Sequence, residues 1–247
     1  MTAASWVPRV LAGGVLLGLL VGCGDGVPGP GASTSVSVPD RAGLTIVWPY
    51  GEPDDGTWSE HEAVRVMRRA DMAIAIGRYT HDWSSDELVA TVHLGLLLSL
   101  YRGDLSGGVE GTGASPEPVS RLTLGPVARV VVDVEVSESD AGRKRYRVTT
   151  CQAKDWQSSV DAGEDPRETS AYVRVALVVE DDDGELRMVS PHTDGAPDGD
   201  PDLGAQRCDL SKLRYGYFEP ARQPDYSYLK SDVVAPVGWE SLVEPSA

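Results

Sequence analysis

Asparagine is absent from this 247-residue chain, phenylalanine occurs once and methionine four times, and lysine and isoleucine are scarce beside arginine and valine. That bias is the mark of GC-rich coding. Positive charge is also in short supply: 22 Lys and Arg stand against 38 Asp and Glu, a formal net charge of −16. Such a surface repels the nucleic-acid backbone and anionic lipid headgroups, which excludes nucleic acid as a partner. No apolar run reaches the roughly 20 residues of a spanning helix. Nucleophile elbow, Walker loop, dinucleotide fingerprint and CxxC pair are all missing. His61-Glu62 cannot begin a zinc-binding helix motif, because Arg65 stands where the second His is required. The expectation is a chain with no catalytic constellation, no cofactor and no metal.

What is present begins at the N-terminus. A short start carrying Arg9 precedes an apolar core over residues 10–21, which ends on Leu20-Val21-Gly22-Cys23 and turns at once polar and glycine-rich. A core of about 12 residues fits a cleaved signal better than a membrane anchor. The four residues resemble the bacterial lipobox. That resemblance implies cleavage after Gly22, a diacylglyceryl thioether and acylation such as palmitate on Cys23, and a protein held on the outer face of the cell membrane. Two acyl chains suffice for stable attachment. Removing residues 1–22 takes away Arg9 alone, so the mature chain counts 21 − 38 = −17, and attachment must come from lipid rather than from a basic patch. Residues 23–43 then read as the lipidated Cys and a Gly/Pro/Ser-rich flexible linker with a reach of about 23 Å.

Two cysteines remain, Cys151 and Cys208. Outside the cytoplasm an even remainder reads as one disulfide, and two buried free thiols are the alternative. Leu44-Thr45-Ile46-Val47-Trp48 is a first strand or a segment tucked against the domain. Ser59 with Glu62, and Ser84 with Glu87, have capping-box spacing and predict two helices, the second carrying His93 within its apolar run. From Arg121 the period changes to two: Val130, Val132, Val134 and Val136; Tyr146, Val148 and Thr150; then Val173, Val175, Leu177 and Val179 each alternate with a second set of residues. Asp183-Gly184 reads as a hairpin turn into Leu186-Arg187-Met188-Val189. Helices followed by antiparallel strands predict an α+β domain over residues 44–220, with the helices on one face of a sheet and residues 221–247 as a Tyr/Pro-rich tail.

The capped helical pair, Arg102-Gly103, the valine-rich strand, the strand ending in Cys151 with Asp155-Trp156 behind it, and the Asp-Gly hairpin resemble small secreted lipoproteins of high-GC Gram-positive bacteria with an NTF2-like fold, related to SnoaL-like and ketosteroid-isomerase-like cones. The resemblance runs over about residues 60–190. It implies a curved sheet, with a pocket between its concave face and the helices and an Asp, His or Tyr there as acid or base. Tyr79, His81, Asp82, His93 and Tyr101 are the nearest candidates. The segment between the helices also reads simply as a solvated connection, and His93 as a core histidine.

Two further stretches stand out. Asp198, Asp200, Asp202 and Asp209 have the alternation of a calcium loop, but Leu203 replaces the turn glycine at position six, which favours a solvated acidic loop. Tyr215, Tyr217, Phe218, Tyr226 and Tyr228 form an aromatic cluster that reads either as a partner surface or as cover for a sheet edge or pocket mouth. Three function classes follow. The first is a non-enzymatic, lipid-anchored accessory protein that binds a protein partner or a small apolar ligand. The second is a SnoaL- or ketosteroid-isomerase-like enzyme using Asp82 or His93 as base on a small apolar substrate. The third is a structural module of an envelope assembly.

Overall fold

The computed structural model describes residues 34–38, 43–109, 122–153, 171–190, 208–223 and 226–239. The signal segment, Cys23, Asp155-Trp156 and the acidic run Asp198 to Asp202 lie outside the described residues. Mixed α+β architecture with two antiparallel sheets is what the chain forms. Strands β1 (Thr34–Ser37) and β2 (Thr45–Trp48) lead to helices α1 (Glu62–Thr80), α2 (Asp86–Thr91) and α3 (Leu94–Gly107). Strands β3 (Arg129–Glu138), β4 (Lys144–Ala153), β5 (Ala171–Glu180) and β6 (Leu186–Ser190) follow, and β7 (Tyr217–Glu219) comes last.

Helix α1 lies between the sheets. One face, through Ala63, Met67, Ala70 and Ile74, packs with Tyr146, Val148, Ala176, Val178 and Met188 of the meander β3-β4-β5-β6. The other, through Met72, Ala75, Ile76 and Tyr79, meets Ile46, Trp48 and Phe218 of the sheet β1-β2-β7. Fully burying such side chains contributes about 1.5–3 kcal/mol each. Polar ties fix the helix to β3: Arg129 lies 3.0 Å from Asp71, Arg68 Nε donates to Asp55 at 2.7 Å, and Asp55 also accepts from the Val131 amide at 3.0 Å.

The linker expectation fails at its C-terminal end, because Thr34–Ser37 pairs antiparallel with β2. Alternation in Ser-Val-Ser-Val suits an edge strand once a partner is at hand. The helix starts also shift. Ser59 is consumed in closing a 3-10 turn over Gly56–Trp58, so His61 caps α1, its Nδ1 accepting from the Ala63 amide at 3.3 Å. The Ser84 hydroxyl donates to Asp82 at 2.6 Å, which leaves Ser85 to cap α2. The apolar second helix is broken, because Val92 bridges to Met188 and the His93 amide donates to the Met188 carbonyl at 2.9 Å. His93 becomes the cap of α3 instead of a residue inside a helix.

A register irregularity at Val131/Asp133 leaves Val132 exposed. In β5, Ala176 and Val178, the set opposite to Leu177 and Val179, enter the main core. The Asp-Gly hairpin forms as read, with Gly184 at φ 82°. Arg187 grips it, donating to Asp183 at 2.6 and 2.8 Å and to Asp181 at 3.1 Å.

That grip, together with the Glu185 amide, lowers the Asp183 pKa from its ordinary 3.8 to about 2. The stabilisation is present above the unfolded-state pKa and is lost as pH falls through about 2. A carbon-detected NMR titration is expected to place the Asp183 midpoint near 2, and Arg187→Gln should return it toward the ordinary value. An unshifted midpoint in the unmodified protein would show that Arg187 does not hold it.

Cys151 and Cys208 form a disulfide with a Cα–Cα distance of 5.4 Å. It brings residues 208–215 over one end of the meander, where Leu213 and Tyr215 pack with Ala128, Val130, Cys151 and Ala153. Close by, a Cβ on Gly125 would stand 1.9 Å from the Gly216 carbonyl oxygen, so only glycine permits the approach that lets the Phe218 amide donate to Leu124 at 2.7 Å. The Tyr/Pro-rich tail after residue 220 is tied to the body: Val234 bridges Asp82, and Leu229 bridges Val109.

Candidate functional site

His81 ends α1 as its C-cap at φ 56°, ψ 24°. Glycine is the usual occupant of that left-handed position; among the described residues His81 is the one non-glycine with positive φ. A side chain held there at a cost of about 1 kcal/mol is held by its surroundings. Its Nδ1 lies 3.0 Å from both carboxylate oxygens of Asp104 on α3. Its Nε2 lies 3.0 Å from Arg222 Nη1. A guanidinium nitrogen only donates, so Nε2 must accept, and the single ring proton sits on Nδ1 facing Asp104.

Asp104 is the hub. Besides His81 it accepts from Trp83 Nε1 at 2.8 Å and from the Tyr228 hydroxyl at 3.1 Å, and the same hydroxyl donates to its backbone carbonyl at 2.7 Å. The Tyr228 ring stacks on His81 with centroids 3.8 Å apart. Burial, followed by the nearby Asp104 charge, raises the Tyr228 pKa, so the phenol stays a donor. Arg222 lies over the Tyr226 ring, 3.5 Å from Cζ to centroid, a cation–π contact that fixes the guanidinium plane.

Beside this network is a cavity of about 300 Å³, at the lower end of small-molecule pockets. Arg78, Asp104 and Arg222 give it charge, Ser99 and Thr123 hydroxyls, and Leu100 and Leu122 apolar wall. No family model, no curated protein and no solved structure matches this chain. The site is therefore read from its own chemistry.

Of the residues proposed from sequence, His81 enters the network. Tyr79 meets it at Arg222, whose Cζ lies 4.6 Å from the Tyr79 ring centroid, while Asp82, His93 and Tyr101 do not line the cavity. Tyr79 donates to the Pro220 carbonyl and packs on Phe218. Asp82 accepts from the Ser84 amide at 2.9 Å. His93 accepts from the Gly95 amide at 3.1 Å. Tyr101 is buried against Trp239. Among the described residues the space between the meander and the helices is packed by Met67, Leu88, Val92, Val148, Val178 and Met188. The aromatic cluster of the C-terminal region forms no single exposed surface. Tyr215, Phe218 and Tyr228 are buried and serve three different places, while Tyr217 and Tyr226 are half-buried.

Asp104, Arg222, Arg78 and Trp83 escaped the sequence reading. A signal existed for two of them. Asp104 follows buried Leu97 and Tyr101 at seven and three residues, and Arg78 follows buried Asp71 and Ile74 at seven and four. A charge on the apolar stripe of a helix has to be paired or functional. Among the described residues no group of three or more His, Cys, Asp or Glu could hold a metal ion, and no helix is long and apolar enough to cross a membrane.

Proposed function

We propose that the chain is a lipid-anchored, extracytoplasmic, non-enzymatic accessory protein that binds a small ligand in the cavity beside His81. The observation that carries the ligand reading is the organisation of the wall: buried hydrogen-bonding side chains from α1, α3 and the C-terminal region converge on open space instead of on packed neighbours. The walls favour a polar ligand over the apolar one expected from the sequence. Anchoring rests on the apolar run that ends at Cys23, and the Cys151–Cys208 bridge suits an oxidising compartment. Kinship with the NTF2-like lipoproteins is part of the proposal, supported by helices that precede and cover an antiparallel meander.

The Asp104–His81 pair invites an enzymatic reading, since an aspartate behind Nδ1 is how a general-base histidine is oriented. Arg222 weighs against it. Its donated hydrogen bond occupies the Nε2 lone pair that a base would use. Asp82 and His93, the bases of the isomerase-like reading, are engaged as acceptors for local backbone amides.

Two measurements test the proposal. Cys23→Ser is expected to move the protein from the membrane fraction to the soluble fraction; retention in the membrane overturns the lipid anchor. A saturation-transfer NMR screen of small molecules against the full chain is expected to yield binders that Gly103→Trp abolishes. Gly103 lines the cavity, and a Cβ there meets nothing within 4 Å. Binders indifferent to that substitution would place the ligand site elsewhere.

A further inference from the structure

We infer that the cavity takes a small monoanionic carboxylate, with the Arg78 guanidinium as its anchoring cation; this deepens the ligand reading above and rests on it. Arg78 stands in the last turn of α1 and lines the cavity. Its guanidinium makes no hydrogen bond and no ion pair with any described residue. The other inward-packed arginines behave differently: Arg68 has Asp55 at 2.5 Å, Arg129 has Asp71 at 3.0 Å, and Arg187 has Asp183 at 2.6 Å. A desolvated guanidinium without a counterion is costly. Burial indeed presses the Arg78 pKa downward, against the pull of Asp104 and Asp71. An anion in the cavity would relieve that cost.

Asp104 is not that counterion in full, since its oxygens already serve His81, Trp83 and Tyr228. Arg222 likewise has no carboxylate within ion-pair reach among the described residues; it spends one donor on His81 and its face on Tyr226. Two arginines, Arg78 and Arg222, face one carboxylate, leaving one positive charge from these three side chains in a chain of net charge −16. A single negative charge balances it. A phosphomonoester dianion would overshoot, leaving excess negative charge beside Asp104. The forked guanidinium matches a carboxylate with two parallel hydrogen bonds. Leu100 and Leu122 offer apolar wall to the ligand body, Ser99 and Thr123 offer hydroxyls, and about 300 Å³ limits that body to a compact one.

The test uses the full chain, with benzoate, neutral benzamide and inorganic phosphate titrated calorimetrically at constant ionic strength. Benzoate is expected to bind at least tenfold more tightly than benzamide or phosphate. Arg78→Gln should weaken benzoate at least tenfold, and Arg78→Lys should retain part of the affinity. Without ligand, Arg78→Gln should melt within about 4 °C of the unmodified protein, because the guanidinium has no direct hydrogen bond or ion pair to lose, only the longer-range pull of Asp104 and Asp71. Unchanged benzoate affinity in Arg78→Gln, a melting temperature lowered by more than about 4 °C in that variant, or a preference for phosphate overturns the inference. Equal binding of benzoate and benzamide, both lost in Gly103→Trp, overturns the carboxylate while leaving the ligand cavity standing. If no probe binds, the carboxylate inference fails, and the ligand reading is decided by its own screen.

Discussion

Asp104→Ala is expected to lower the stability of the protein by about 4 kcal/mol, the sum of orphaning two well-buried donors and removing a carboxylate from a charged network. His81 Nδ1 and Trp83 Nε1 both depend on this side chain. Trp83 is fully buried but borders the cavity with Asp104, so water entering the truncated site offsets only part of the lost acceptor. Tyr228 suffers less, because its hydroxyl keeps the Asp104 backbone carbonyl at 2.7 Å. Asp104→Asn retains one acceptor and should cost about half as much. At roughly 2–4 °C per kcal/mol for a domain of this size, the alanine variant should melt about 8–16 °C lower. Denaturant unfolding checks the figure, and a loss below about 1 kcal/mol would mean that the network does not hold α1, α3 and the C-terminal region together. The same variant removes the partner that sets the His81 tautomer, so nitrogen-15 chemical shifts of the imidazole should change with it.

Breaking the Cys151–Cys208 bridge should be of similar size. The bond closes a loop of 57 residues, and the chain-entropy relation gives about 4 kcal/mol for the freedom that the unfolded chain regains. The double substitution Cys151→Ala/Cys208→Ala, or reduction of the intact protein, should lower unfolding free energy by that amount. The sheet end then keeps the packing of Leu213 and Tyr215 but loses its covalent tie, so local hydrogen exchange of β3 and β4 near Val130 and Cys151 should rise more than that of Val148 in the main core. Stability within about 1 kcal/mol of the oxidised protein would mean that the unfolded chain is already compact.

Together these expectations locate stability and site in one place. The buried hub that fixes His81 also forms the cavity wall, so the hydrogen bonds that close the fold are those that shape the ligand space. Arg78 is the exception, a charge that makes no direct hydrogen bond or ion pair in closing the fold and feels Asp104 and Asp71 only at longer range. This separation is why its substitution distinguishes binding from structure.

Local patterns in the sequence determined much of the chain. Strand periodicity gave β3 and β4, the Asp-Gly pair gave the hairpin before β6, and two leftover cysteines gave the bridge, because each depends on residues close in sequence or on simple parity. Apolar spacing likewise gave α1, although its cap moved from Ser59 to His61 once the preceding turn had used the serine. Tertiary structure alone decided the rest. Thr34–Ser37 became a strand because β2 offered an edge. The second helix broke at Val92–His93 because β6 supplied a better backbone partner than another helical turn. The site itself joins His81, Asp104 and Arg222, separated by 23 and 141 residues from His81. No periodicity in sequence reports such a distance, because hydrogen bonds between distant segments are selected only after the hydrophobic faces of α1 and α3 have brought those segments together.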